Sequence, residues 1–136
     1  MTKCTYLANK VLDYVFGKQA FTPPDTLYAG LCTGVTDAGV ITGEPSSGGY
    51  ARVAIDNNDV TTIWSAAASK QKSNGSGAIV FPAVTATWGT LTVFFISDAA
   101  SGNTNTWCYG SLVSSITPGI GVAPTVAVGN LVESIV

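Results

Sequence analysis

About seven to nine short runs of β-branched, aromatic and other apolar residues are separated, roughly every ten residues, by Gly, Pro, Asn or Asp. That spacing accommodates strands and turns, and it leaves space for only one sizeable helix. The runs fall at residues 26–33, 50–56, 60–65, 77–82, 88–97, 106–113, 124–128 and 130–136. A further short strand is expected at Val40 and Ile41, inside a Gly-, Thr- and Ser-rich loop over 34–49. The run 88–97 (WGTLTVFFIS) carries the strongest strand signal, and its unbroken apolar end implies a central place in a sheet. Polar turns are expected at 56–59 and 98–103, a small-residue loop at 66–77, and a Pro- and Gly-punctuated connection at 116–123. The pattern predicts an all-β fold, an antiparallel β-sandwich of which the jelly roll is one version. No internal repeat points to a solenoid or propeller.

The single helix is expected over residues 5–16. Leu7, Val11, Tyr14 and Val15 recur there at three- and four-residue offsets, with Thr5 as its cap and Gly17 as its stop. Pro23 and Pro24 block any continuation. The apolar face is expected to pack on the chain's own sandwich or on a neighbouring subunit. A chain of 136 residues can bury a single core, so one domain over 1–136 is expected, with the helix in 1–17 and the sandwich in 26–136.

Charge narrows the function. Only 10% of residues are charged, far below the roughly 25% usual in soluble domains, so little on the surface keeps other protein away. Lys3, Lys10, Lys18, Arg52, Lys70 and Lys72 are scattered and the net charge is -2, which gives no basic field for nucleic acid. No apolar run approaches the length that spans a bilayer, and Asp13 interrupts the N-terminal stretch that would otherwise read as a secretory segment, so no membrane partner is expected. Cys4, Cys32 and Cys108 are odd in number and lack CxxC spacing. They are expected as buried free thiols in a chain folded in a reducing cytosol.

Catalytic constellations are missing. With no His in the chain, a Ser nucleophile lacks its usual base, and Lys70 and Lys72 lie in a polar loop that would not desolvate them. Asp37, Glu44, Asp98 and Glu133 show no spacing that pairs two carboxylates. Asp56 and Asp59 flank two Asn residues in what reads as an ordinary turn rather than a calcium loop. No cofactor and no metal is expected, and no enzymatic activity. The sequon at Asn74 has no export signal to make it meaningful. The aromatics leave a carbohydrate platform open as one reading, with Trp64 and Trp107, beside polar loops, the better placed for exposed contact.

Several segments in order carry a resemblance: YLANKVLD over 6–13, TLYAGL over 26–31, SGGYARV over 47–53, FPA over 81–83, ATWG over 86–89, DAASG over 98–102 and WCYG over 107–110. Together they resemble small tailed-bacteriophage virion β-sandwich proteins, whose members are labelled tail-fibre-like or serve as capsid cement or decoration proteins. The resemblance implies a structural virion protein. The first expectation is a cement protein on the outer capsid surface that bridges capsomers as a homo-oligomer, a dimer or trimer. A tail-fibre-associated or baseplate protein is the alternative, and a carbohydrate-binding module the second alternative. The implied partner is the major capsid protein or a tail protein of the same virion. Expected contact residues are Leu7, Val11, Tyr14 and Val15 of the helix, Trp64 and Trp107, and Leu131, Ile135 and Val136 of the C-terminal tail, with the loops 34–49 and 66–77 as further candidates.

Overall fold

A computed structural model describes residues 1–58, 60–103 and 105–135. In chain order its elements are β1 (Thr2–Lys3), α1 (Thr5–Val15), β2 (Thr26–Cys32), β3 (Gly34–Val35), β4 (Ile41–Thr42), β5 (Val53–Asp56), β6 (Gln71–Ser73), β7 (Ile79–Val80), β8 (Leu91–Ser97), β9 (Thr106–Ile116), β10 (Thr125–Val126) and β11 (Val132–Ser134). Five of them form an antiparallel sheet in the order β1-β9-β8-β2-β5. The all-β architecture with one N-terminal helix agrees with the sequence expectation. The sheet keeps two edges, β1 and β5, and so is not a closed barrel.

The second layer is not a continuous sheet. It consists of the two-stranded ladders β10-β7 and β11-β6 together with the segment around Phe81, Val84 and Trp88. Their apolar side chains meet Leu27, Ala29, Leu31, Ile55, Phe94 and Ile96 of the main sheet in one core cluster. Asn74 ties this layer together. It is fully buried, its Nδ2 donates to the carbonyls of Gly77 and Ala127, and its Oδ1 accepts from the Leu131 amide. This burial and these three hydrogen bonds leave no room for a glycan on Asn74 in the folded chain.

Strand β8 is central, as its sequence implies, and it is covered on both faces. Successive side chains of a strand alternate. Phe94 and Ile96 enter the main core, while Phe95 joins Cys32 and Ile41 in a second cluster on the opposite side. A register irregularity between Leu91 and Val93 returns Leu91 to the main core. Gly30 stands directly across from Phe95, and a Cβ there would lie 2.1 Å from the ring, so the aromatic lies over bare backbone.

The loop 34–49 carries the short strand expected in it, at Ile41–Thr42, paired with β3 in a hairpin; Ile41 is buried, its amide donates to Asn103 Oδ1, and Thr106 Oγ1 donates to the Gly39 carbonyl. Two expectations are corrected. Residues 60–65 form no strand, because Asn58 Oδ1 captures the amides of Val60 and Thr61 and turns the chain locally. The loop 66–77 contains a strand, β6, which the polar residues Gln71, Lys72 and Ser73 do not advertise. Asp59 and Val136 lie outside the described residues, as does Thr104.

Candidate interaction sites

The helix begins at Cys4, which occupies the N-cap position in place of Thr5 and makes no side-chain cap. Thr5 instead sends its amide and hydroxyl to the Asp37 carbonyl at 2.8 and 3.0 Å. At the other end Gly17 adopts φ +76°, and the Lys18 amide bonds back to the Asp13 carbonyl at 2.8 Å, the left-handed stop that a glycine permits. Between these ends the helix docks along one edge only. Tyr6 and Leu7 pack against the core, and the Tyr6 ring lies 6.4 Å from that of Trp107.

The rest of the expected stripe is not covered by this chain. Val11 is 38% exposed, Tyr14 63% and Val15 64%, and they are joined by Leu12 at 55% and Phe16 at 81%. The face predicted to pack is thus an open apolar surface, and it includes two residues that the periodicity did not select. Five large apolar side chains thus face solvent at the end of one short helix.

The other expected contact residues separate. Trp107 is buried, not exposed, because Tyr6 and Phe21 close over it, with Phe21 at 5.7 Å between ring centres. Its indole Nε1 is buried and has no hydrogen-bond partner among the described residues. Leu131 is likewise core, held by Asn74, while Ile135 is exposed. Trp64 is half-buried against the core. Although 43 residues apart in the chain, Trp64 and Trp107 line one cleft of about 190 Å³ with Leu7, Leu27, Ile96 and Glu133.

Several charged groups are engaged in structure. Arg52 is buried and uses all five of its N–H groups: Nε and Nη2 grip both oxygens of Glu44 at 2.7 Å, while the remaining donors reach Ser97 Oγ and the carbonyls of Ala99 and Gly102. Its guanidinium lies 4.9 Å from the Phe95 ring centre, and this arrangement seals the second cluster. Tyr50 Oη lies 3.0 Å from Glu44 Oε1 and 3.2 Å from the Leu31 carbonyl, both acceptors for its proton, and it accepts from the Leu31 amide at 2.9 Å. Burial pushes the Tyr50 phenol far above its ordinary pKa, with the neighbouring Glu44 charge adding to the rise.

The other carboxylates are dispersed. Asp37 accepts from Tyr109 Oη at 2.6 Å, Asp98 from Asn105, and Glu133 is paired with Lys3 at 2.9 Å and the N-terminal amine at 3.7 Å. No two of these carboxylates share a contact in a cleft, and no group of His, Cys, Asp or Glu suited to a metal occurs among the described residues. Asp56 accepts from Thr61 Oγ1, an ordinary turn contact. The three cysteines are free and buried, and burial raises the thiols of Cys4 and Cys32 to about 11, which keeps them protonated and unreactive at neutral pH. No helix among the described residues is long and apolar enough to cross a membrane.

The family model described as Podophage GP4 fiber I protein gp80 matches residues 2–134 of the chain. No curated protein matches the chain.

Proposed function

The chain belongs to the Podophage GP4 fiber I protein gp80 family of phage virion structural proteins, and from that premise we propose that it is a structural component of a podophage tail fibre that works by protein contact rather than catalysis. The observation that carries this reading is the open apolar face of α1 on a chain whose family description names a fibre. Within a fibre the occupant of that face is another virion protein or a further copy of the chain. Contacts of modest strength become durable there through repetition. The dispersed, structurally engaged carboxylates and the lack of His support a non-enzymatic role.

Capsid cementing, the first expectation from the sequence, needs the same kind of contact surface but sits less well with the family description. Virions assembled without the protein distinguish the two. The fibre reading expects particles that keep their resistance to heat and osmotic shock, lose host attachment, and in the wild type carry a few to tens of copies. Protein-free particles that open at lower temperature and regain resistance when the protein is added back, together with hundreds of copies in the wild-type virion, would replace the fibre reading with the cement one.

A further inference from the structure

We propose that the cleft beside Trp64 is a binding site for one ring of a neutral saccharide. This goes beyond the structural role above and does not depend on where in the virion the protein sits. Two adjoining hollows share Asn57 and Lys72. The first, lined by Trp64, Trp107, Leu7, Leu27 and Ile96, is apolar. The second, of about 380 Å³, is polar and is bordered by Asp25, Asn57, Asn58 and Thr62. Its volume falls within the roughly 300–1,000 Å³ typical of small-molecule sites, and an apolar wall with a few convergent polar groups is their usual make-up.

The polar groups that face this groove are not all spent on the fold. Asn58 is consumed by its own turn, and Thr62 Oγ1 accepts from the Trp64 amide. Asn57 commits Nδ2 to the Pro24 carbonyl, but its Oδ1 has no partner among the described residues, and neither do the Asp25 carboxylate and the Lys72 ammonium. The groove therefore offers two acceptors and one charged donor beside a half-exposed indole, with a second indole whose N–H is unpartnered forming the wall.

A pyranose matches that combination. Its C–H face is apolar and lies flat on an aromatic ring, while its hydroxyls project from the edge and both donate and accept. Asp25 and Lys72 carry opposite charges, and Glu133, which also lines the apolar hollow, is paired with Lys3 and the N-terminal amine, so the groove is close to neutral and favours an uncharged sugar over an acidic one. A purely apolar side chain would leave the carboxylate and ammonium without a role. It would also have to strip water from them without replacing its hydrogen bonds.

The test is titration of the full chain with methyl β-glucoside, methyl β-galactoside and N-acetylglucosamine, followed through the three indole N–H resonances. Trp88 is the internal reference, because its Nε1 is bonded to the Gly48 carbonyl at 2.7 Å, away from the groove. At least one sugar should shift the Trp64 and Trp107 signals saturably, with Kd on the order of 1 mM as befits a single ring, and leave Trp88 in place. Trp64→Ala should weaken binding about tenfold or more. Should that variant fail to keep the wild-type Trp88 signal, Asp25→Ala and Lys72→Ala, both at exposed positions, should each weaken binding several-fold in a folded protein. The proposal is overturned if no sugar shifts either signal up to ~50 mM, if Trp88 moves equally, or if free indole competes for the cleft while the sugars do not bind, which would make it a pocket for an apolar side chain.

Discussion

Phe94 and Phe95 are neighbours on β8, 4% and 0% exposed, yet they are enclosed in different ways. Phe94 points into a thick apolar layer made with Leu27, Leu31, Phe81 and Leu131. Phe95 points the other way, onto the bare backbone of Gly30 and under an arginine whose charge is fully hydrogen-bonded. One face is closed by apolar depth and the other by a thin lid of polar groups with every donor satisfied. A chain this short of charge has placed one of its few ion pairs where it completes a core, and has left apolar residues exposed on α1. The polar lid is specific but fragile, since each member depends on its partners.

The largest effects expected are at the two rings. Phe94→Ala and Phe95→Ala should each cost about 3–5 kcal/mol in urea unfolding, with an unchanged m-value, because each ring is enclosed and neither site can collapse readily. The comparison fails if Phe95→Ala costs under about 1 kcal/mol, for then the lid would not exclude water from the second face.

Next comes the lid. Arg52→Ala strands the Glu44 carboxylate, and such a loss in a fully buried pair costs about 3–5 kcal/mol; Glu44 retains some exposure, so about 2 kcal/mol is expected. Combining Arg52→Met with Glu44→Gln should recover a good part of that loss, since no orphan charge remains. A double variant as unstable as Arg52→Ala would mean that the contacts to Ser97, Ala99 and Gly102, rather than the charge pairing, hold the lid.

Much of this arrangement was legible in the sequence. Strands β2, β8 and β9 announce themselves through apolar and β-branched runs, and α1 through its spacing and its glycine stop. What escaped were elements whose partners lie far away in the chain. Strand β6 is Gln-Lys-Ser, and only β11, some sixty residues on, makes it a strand. The strand expected at 60–65 was lost to a single Asn58 side chain, a local hydrogen bond that hydrophobic pattern does not register. Trp64 and Trp107 were recognisable as aromatics, but their meeting in one cleft is a product of topology. Arg52 and Glu44, eight positions apart, carry no pattern that foretells their pairing, although an isolated Arg in so uncharged a stretch was a usable hint.

Tyr50→Phe should cost about 1 kcal/mol at neutral pH through loss of its hydroxyl bonds. Its pH dependence sharpens the picture. The folded phenol titrates above its unfolded value, so its contribution is complete below about pH 10 and is lost as pH rises past that point, where the unfolded chain releases the proton and the folded one does not. Stability measured from pH 8 to 11 should therefore fall less steeply in Tyr50→Phe than in the wild type. A residual alkaline fall is expected in both from Cys4 and Cys32, whose thiols are also raised by burial. Identical slopes would show that the phenol is solvated and that the lid is open at its Tyr50 edge.

The smallest effect on stability is expected where the apolar surface is largest. Val15→Asp and Phe16→Asp lie at the end of α1, on side chains 64% and 81% exposed, and each should change unfolding free energy by no more than about 0.5 kcal/mol. The contrast with Phe95, an apolar residue in the same molecule but under a lid, is the point of the measurement. If the exposed face is an interface, these substitutions remove function without removing fold, because a charge carried into an apolar contact must be desolvated without a partner. Folded variants that no longer incorporate into virions are the expected outcome. A loss of several kcal/mol would mean that the helix end is buried in the isolated chain, and normal incorporation of both variants would show that the virion contact lies elsewhere.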